Sequence, residues 1–119
     1  MSTIICLSQQ QPVPEFDRPR PDRLLAGNPL RTTWQHDQAA AGRISSGIWA
    51  CEPGRWRIEF ADDKHEFFCV ITGRVRLHDG SGQISEIGPG EAAIIPTGFS
   101  GAFEVVEPVR KYYLVIQGV

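Results

Sequence analysis

Between Arg55 and His78, apolar side chains recur at every second residue, and short turn signals interrupt the pattern at close intervals. Trp56, Ile58 and Phe60 alternate with Arg55, Arg57 and Glu59, while Val75 and Leu77 alternate with Arg74, Arg76 and His78. A period of two puts successive side chains on opposite faces of a strand, so each run has one buried and one wet face. Phe67-Phe68-Cys69-Val70-Ile71 is apolar on both faces, which predicts a strand covered on both sides. Glu52-Pro53-Gly54, Asp62-Asp63-Lys64, Asp79-Gly80-Ser81-Gly82 and Gly88-Pro89-Gly90 are turn sequences. Arg74–Asp79 and Gln83–Ile87, joined by Gly80-Ser81-Gly82, form the strongest hairpin. Further strands are expected at 43–51, 91–95, 101–106 and 109–117, with no long amphipathic helix. Eight or nine short strands at this spacing predict an all-β sandwich or barrel.

Residues 1–30 follow different rules. Pro12, Pro14, Pro19, Pro21 and Pro29 are spread through them, each fixing φ and removing a donor, so this segment is expected to be an extended arm. Within it only Ile4–Leu7 has the composition of a strand. Residues 31–119 form the domain, and a chain of 119 residues can bury roughly two thirds of its unfolded surface without disulfide or structural metal. The net charge is −2 and no block of Lys or Arg occurs, which argues against nucleic-acid or anionic-membrane partners. The apolar patch in Met1–Leu7 lacks a basic lead, and no segment approaches the roughly 20 apolar residues of a membrane span. Cys6, Cys51 and Cys69 are odd in number and lack metal-type spacing, so a reducing, cytoplasmic setting is expected.

Two stretches resemble the paired motifs of the cupin superfamily. The first runs Gly54, five residues, Phe60-Ala61-Asp62, three residues, Glu66, six residues, Gly73. The second is Gly90-Glu91-Ala92-Ala93-Ile94-Ile95-Pro96-Thr97-Gly98, followed by Gly101. The resemblance implies a single-domain RmlC-like jelly roll, the double-stranded β-helix barrel. In a metal-binding cupin the Phe60, Asp62 and Gly101 positions carry histidine; of the four ligand positions only Glu66 matches here. No three-histidine metal site and no cofactor are therefore expected. Ser46-Gly47-Ile48-Trp49, Glu52-Pro53-Gly54-Arg55-Trp56, Glu66-Phe67-Phe68-Cys69 and Glu107-Pro108-Val109-Arg110-Lys111-Tyr112-Tyr113 are similar to the ureidoglycine-aminohydrolase-type branch.

In the cupin register Glu66 points into the barrel mouth beside Trp56 and Phe60. An apolar setting favours the neutral acid and suits a general acid or base; the alternative is an ion pair with a nearby cation. Trp56, Phe60 and Phe103 alternate into the same interior, as core or as the wall of a ligand pocket. Asp62 is a further ligand-binding candidate, able to join Glu66 around a hard cation, whereas His65 points away from Glu66 by strand alternation. Lys111 and Tyr113 share one face of the last strand and, if inward, add a cation and a phenol. Apolar residues occupy both faces there, so parity leaves their direction open. Cys69, on the outer side of its strand, reads as a buried structural thiol, and His36 and His78, without a partner of metal-like spacing, as surface residues.

Three readings follow. One is a small-molecule enzyme or binding protein with Glu66, Lys111 and Tyr113 as its polar groups. The second is a metal-dependent hydrolase of ureides or other small metabolites, using Asp62 and Glu66. The third is a non-catalytic interaction module. A homodimer is expected because Phe67, Cys69 and Ile71 make an apolar outer face, with Ile4–Leu7 adding to the partner's sheet.

Overall fold

The computed structural model describes residues 2–118. Nine strands follow in chain order: β1 Glu15–Asp17, β2 Leu24–Ala26, β3 Arg31–Ala39, β4 Ile44–Cys51, β5 Gly54–Glu59, β6 Lys64–Asp79, β7 Ile84–Ile87, β8 Ala92–Ile95 and β9 Ser100–Gln117. The described residues contain no helix, in agreement with the all-β expectation.

Two long bent strands organise everything else. The pairs of runs read separately in the sequence at 67–71 with 74–79, and at 101–106 with 109–117, are each one strand, β6 and β9. They run antiparallel along their length, with pairing from Lys64 opposite Gln117 to Asp79 opposite Gly101 and register shifts between Val70 and Val75. Gly73 sits in that irregular stretch at φ +86°, and a Cβ there would meet the Pro108 carbonyl oxygen at 2.1 Å. Only glycine allows the two bends to touch. Turn-forming residues that look like breaks are therefore corners at which one strand passes from one sheet to the next.

Each half of the β6–β9 ladder seeds its own sheet. The Lys64–Val70 half of β6 takes β8 on one side, and beyond β9 the sheet continues through β4, β3 and β1. The Val75–Asp79 half takes β7, and beyond β9 lie β5 and β2. The two inner faces enclose the core: Phe68, Val70, Val75, Leu77, Ile87, Ile95, Phe103, Val105 and Val109 are buried together. This is the double-sheet roll that the resemblance implies.

The proline-rich segment carries two short strands, and they are not where composition placed them. Residues 4–6 form no strand and Ile4 is exposed. Instead the proline-free stretches Glu15–Asp17 and Leu24–Ala26 pair with the edge strands β3 and β5. Edge strands are where short segments flanked by proline can still donate to a ladder. His36, expected at the surface, is half-buried: its Nδ1 lies 3.0 Å from the Trp34 carbonyl and its Nε2 2.9 Å from that of Gln10, tying the arm to β3. His78 also has a partner, Glu104, with Nε2 2.8 Å from Oε1.

Candidate functional site

The bend in β9 decides the question that parity leaves open. With Val109 buried immediately after the bend, strict alternation carries Lys111, Tyr113 and Val115 to the inner face and Arg110 and Tyr112 to the outside. Lys111 is only 4% exposed and is the buried charged residue of the core. Its Nζ donates to Glu66 Oε2 at 2.7 Å. The ammonium also lies over the rings of Phe68 at 4.2 Å, Trp49 at 4.5 Å and Phe103 at 4.8 Å. A desolvated cation on a ring face gains up to about 2 kcal/mol per contact. The cage offsets part of the cost of taking a lysine out of water, which a buried pair alone does not always cover. Glu66 therefore meets an ammonium at the cavity base, so of the two settings open to it the ion pair with a nearby cation is the one formed.

Above this pair opens a cavity of about 430 Å³, at the lower end of the range of about 300–1,000 Å³ usual for small-molecule sites. Its floor is aromatic: Trp56 stacks on Phe103 at 5.3 Å, and Trp49 meets Phe103 edge-on at 5.6 Å. Phe60, Glu66, Lys111 and Tyr113 complete the expected residues on the wall. The Tyr113 phenol is held above its ordinary range, first by burial and then by the Glu66 charge, so it remains a neutral donor at neutral pH.

One expected residue is absent from the wall. Asp62 is exposed on the turn before β6 and does not line the cavity. It belongs to the polar connection Ala61–Asp63, where Gly98 and Lys64 both donate to the Ala61 carbonyl. Among the wall residues not singled out in the sequence are Trp49, Lys64, Arg31 and Asp17. Arg31 holds Asp17 bidentately, Nε to Oδ1 at 2.9 Å and Nη2 to Oδ2 at 2.7 Å, and lies 5.4 Å over Trp56. Asp17 comes from β1, so the arm closes one side of the cavity. Trp49 and Lys64 had a usable signal, since both fall on the inner parity of strands with other interior residues; Arg31 and Asp17 had none, because β1 and β3 were not foreseen.

The donor set does not fit a first-row metal. Among the described residues no three His, Cys, Asp or Glu side chains gather into a cluster that could hold an ion. Phe60 offers no ligand atom, Asp62 faces away, and Glu66 is engaged by Lys111. At Gly101 a Cβ would stand 2.0 Å from the His78 carbonyl oxygen and 2.9 Å from the Phe99 ring. No imidazole can be carried there without moving that backbone. The reduced Asp62–Glu66 ligand set has no support in this geometry.

Comparison with solved structures places the architecture. A protein of unknown function from Pseudomonas syringae pv. tomato superposes with a TM-score of 0.75 at 23% identity, over 87% of this chain and 43% of its own. The chain thus spans less than half of that relative's length. The EutQ protein of Clostridium difficile gives 0.62 at 22% identity, over 81% of this chain and 76% of its own. Ectoine synthase from P. lautus gives 0.63 at 12%, over 75% and 65%. At such identities the likeness concerns fold alone. No curated protein matches the chain. No helix among the described residues is long and apolar enough to cross a membrane. The description "EutQ-like cupin domain" matches residues 38–113, well over half of the chain, and the chain belongs to that cupin family.

Proposed function

We propose that this cupin is a small-molecule enzyme or binding protein that works in the aromatic-floored cavity, with Glu66 as its chemical group and Lys111 and Tyr113 in support. The observation that carries the reading is the Lys111–Glu66 bond of 2.7 Å beneath an open cavity. A charged pair packed among rings is a costly way to hold a core together, and one opening onto a cavity has a use that a sealed one lacks. Lys111 fixes Oε2, so the carboxylate is oriented before a ligand arrives, with Oε1 left to accept a hydrogen bond or a proton. Tyr113 can donate to the same ligand, and Trp56, Phe60 and Phe103 supply the apolar contact.

The finer likeness to the ureidoglycine-aminohydrolase-type branch directs the choice of ligands to test. In a thermal-shift screen of small organic acids and ureides, a binder stabilises the folded state by mass action. The wild-type protein is expected to respond to at least one of them and Glu66→Gln to lose that response. Silence across the whole screen, or an unchanged response in Glu66→Gln, sinks the reading.

A homodimer is proposed as the working form, on the strength of the outer face of β6. Phe67 lies between Ile94 of β8 and Leu114 of β9, and Cys69 between Ala92 and Tyr112, so the apolar surface is continuous across three strands. Three free cysteines support a reducing, cytoplasmic setting.

A further inference from the structure

We infer that the cavity takes a small anion carrying a hydrogen-bond donor a few bonds away, its negative end beside Lys64 and its donor on Glu66. The inference rests on the small-molecule reading above and names the ligand class. Five charged side chains line the wall: Arg31, Lys64 and Lys111 are cationic, Asp17 and Glu66 anionic. Four of them neutralise one another, Arg31 with Asp17 through two hydrogen bonds and Lys111 with Glu66 through one. Lys64 is left over. Among the described residues it has no carboxylate at ion-pair distance, and its ammonium rests 4.5 Å over the Phe60 ring. A ring face attracts a cation but provides neither a lone pair nor a compensating charge.

The cavity thus carries one uncompensated positive charge above an aromatic floor. An anion neutralises it; a neutral molecule leaves it as it is, and a cation meets repulsion from Lys64. At the other end, a carboxylate with one oxygen already bonded to an ammonium can only accept, so what faces Glu66 must donate. Lys64 and Glu66 are two residues apart on the inner face of β6, and same-face neighbours on a strand stand about 7 Å apart. A short chain bearing an anion at one end and a hydroxyl at the other spans that interval.

The test uses the whole chain and three probe series by calorimetry: the ω-hydroxy acids from 3-hydroxypropionate to 5-hydroxypentanoate, the matching plain acids, and the matching ω-hydroxy amides. At least one hydroxy acid is expected to bind about tenfold or more tighter than both its plain acid and its amide, a difference of about 1.4 kcal/mol. Lys64→Met keeps the stem that packs on Phe60 and is expected to bring that hydroxy acid down to the level of its amide. Lys64→Arg restores the difference, and Glu66→Gln, which leaves the Lys111 charge without its carboxylate, is expected to narrow the gap between the hydroxy acid and its plain acid. Amides binding as tightly as acids, or an acid–amide ratio untouched by Lys64→Met, overturns the charge assignment and leaves the cavity reading standing. No response to any of the three series overturns this inference; the cavity reading falls with it only if the broader organic-acid and ureide screen is also silent.

Discussion

Glu66, Phe68 and Val70 leave β6 on one side, and Phe67, Cys69 and Ile71 leave it on the other. The two sets are close to one another in apolar content, yet Phe68 is 0% exposed and Phe67 46%. Across the strand from Phe67, Ile94 is 65% exposed. The inner side is covered by the chain's own second sheet, which closes over it except where the cavity opens. On the outer side, among the described residues, the arm at Leu7–Gln11 lies beside Ile71 and Ile48, while Phe67 and Ile94 stay exposed. Apolar alternation therefore tells which side chains need shelter from water, and topology tells which of them the same chain can shelter.

The sharpest way to break this contrast is at its inner side. Phe68→Ala removes a fully buried ring from the point where both sheets and the Lys111 ammonium meet. A loss of about 3–5 kcal/mol is expected from such a truncation, enough to unfold a domain of marginal stability, read as a fall in the urea midpoint. A loss under 1 kcal/mol is incompatible with the packing described.

Next in size is the ion pair. Glu66→Gln leaves the Lys111 ammonium buried without its carboxylate, and a destabilisation of about 2–3 kcal/mol is expected. The sign is opposite to that expected if the carboxyl faced only rings, where loss of its charge relieves a strain. The double change Glu66→Leu with Lys111→Met is expected to recover most of that stability, because a packed apolar pair of similar volume replaces a desolvated ionic one. The double variant then folds but no longer binds, which separates the pair's chemical role from its structural one. If the double variant is less stable than Glu66→Gln, the pair serves the fold first.

How much of this was legible follows from the same two faces. Strands with one wet side, such as Arg55–Phe60 and Arg74–Asp79, declare their parity through the charges between their apolar residues. The last strand does not: Val109, Tyr112, Tyr113, Leu114, Val115 and Ile116 place apolar groups on both sides, and the direction of Lys111 depends on a bend at Pro108 that local pattern cannot register. Glu66, Trp56, Phe60 and Phe103 reached the cavity through the cupin register, while Asp62 fell outside it because the turn Ala61–Asp63 swings its side chain to solvent. β1 and β3 stayed invisible for a further reason. Thr32, Thr33, Gln35, Asp37 and Gln38 give β3 no apolar alternation, and its strand character comes from pairing with β4 on one side and the arm on the other.

The outer side is expected to respond in the opposite way to the inner one. Phe67→Lys changes an exposed position, so a monomer's stability should move by no more than about 0.5 kcal/mol. If the outer face is the contact between two copies, the wild-type protein scatters light as a particle of twice 13.2 kDa at micromolar concentration, and Phe67→Lys as one of 13.2 kDa. A wild-type monomer under those conditions refutes the dimer and leaves the outer patch to some other cover.

The smallest effect concerns two thiols, one for each side. Cys51 is buried in the core, and burial pushes its pKa up to about 12, with Arg31 and Lys111 opposing the rise only in part. Cys69 is half-buried on the outer face. At pH 8 an alkylating reagent is expected to modify Cys69 well before Cys51, since reaction needs both access and thiolate. The same difference gives Cys51 a pH signature. Its folded-state value lies above the ordinary value of 9.0, so its contribution to stability is fully present below pH 9 and is lost as pH rises from there towards about 12. At pH 9 the loss is about 0.4 kcal/mol, because half of the unfolded chains have gained a thiolate that the folded chain refuses. Cys51→Ala is therefore expected to flatten the alkaline limb of the stability curve relative to wild type. Equal slopes in wild type and Cys51→Ala would mean that water reaches the core at β4, and the separation between a sealed inner side and an open outer one would fail there.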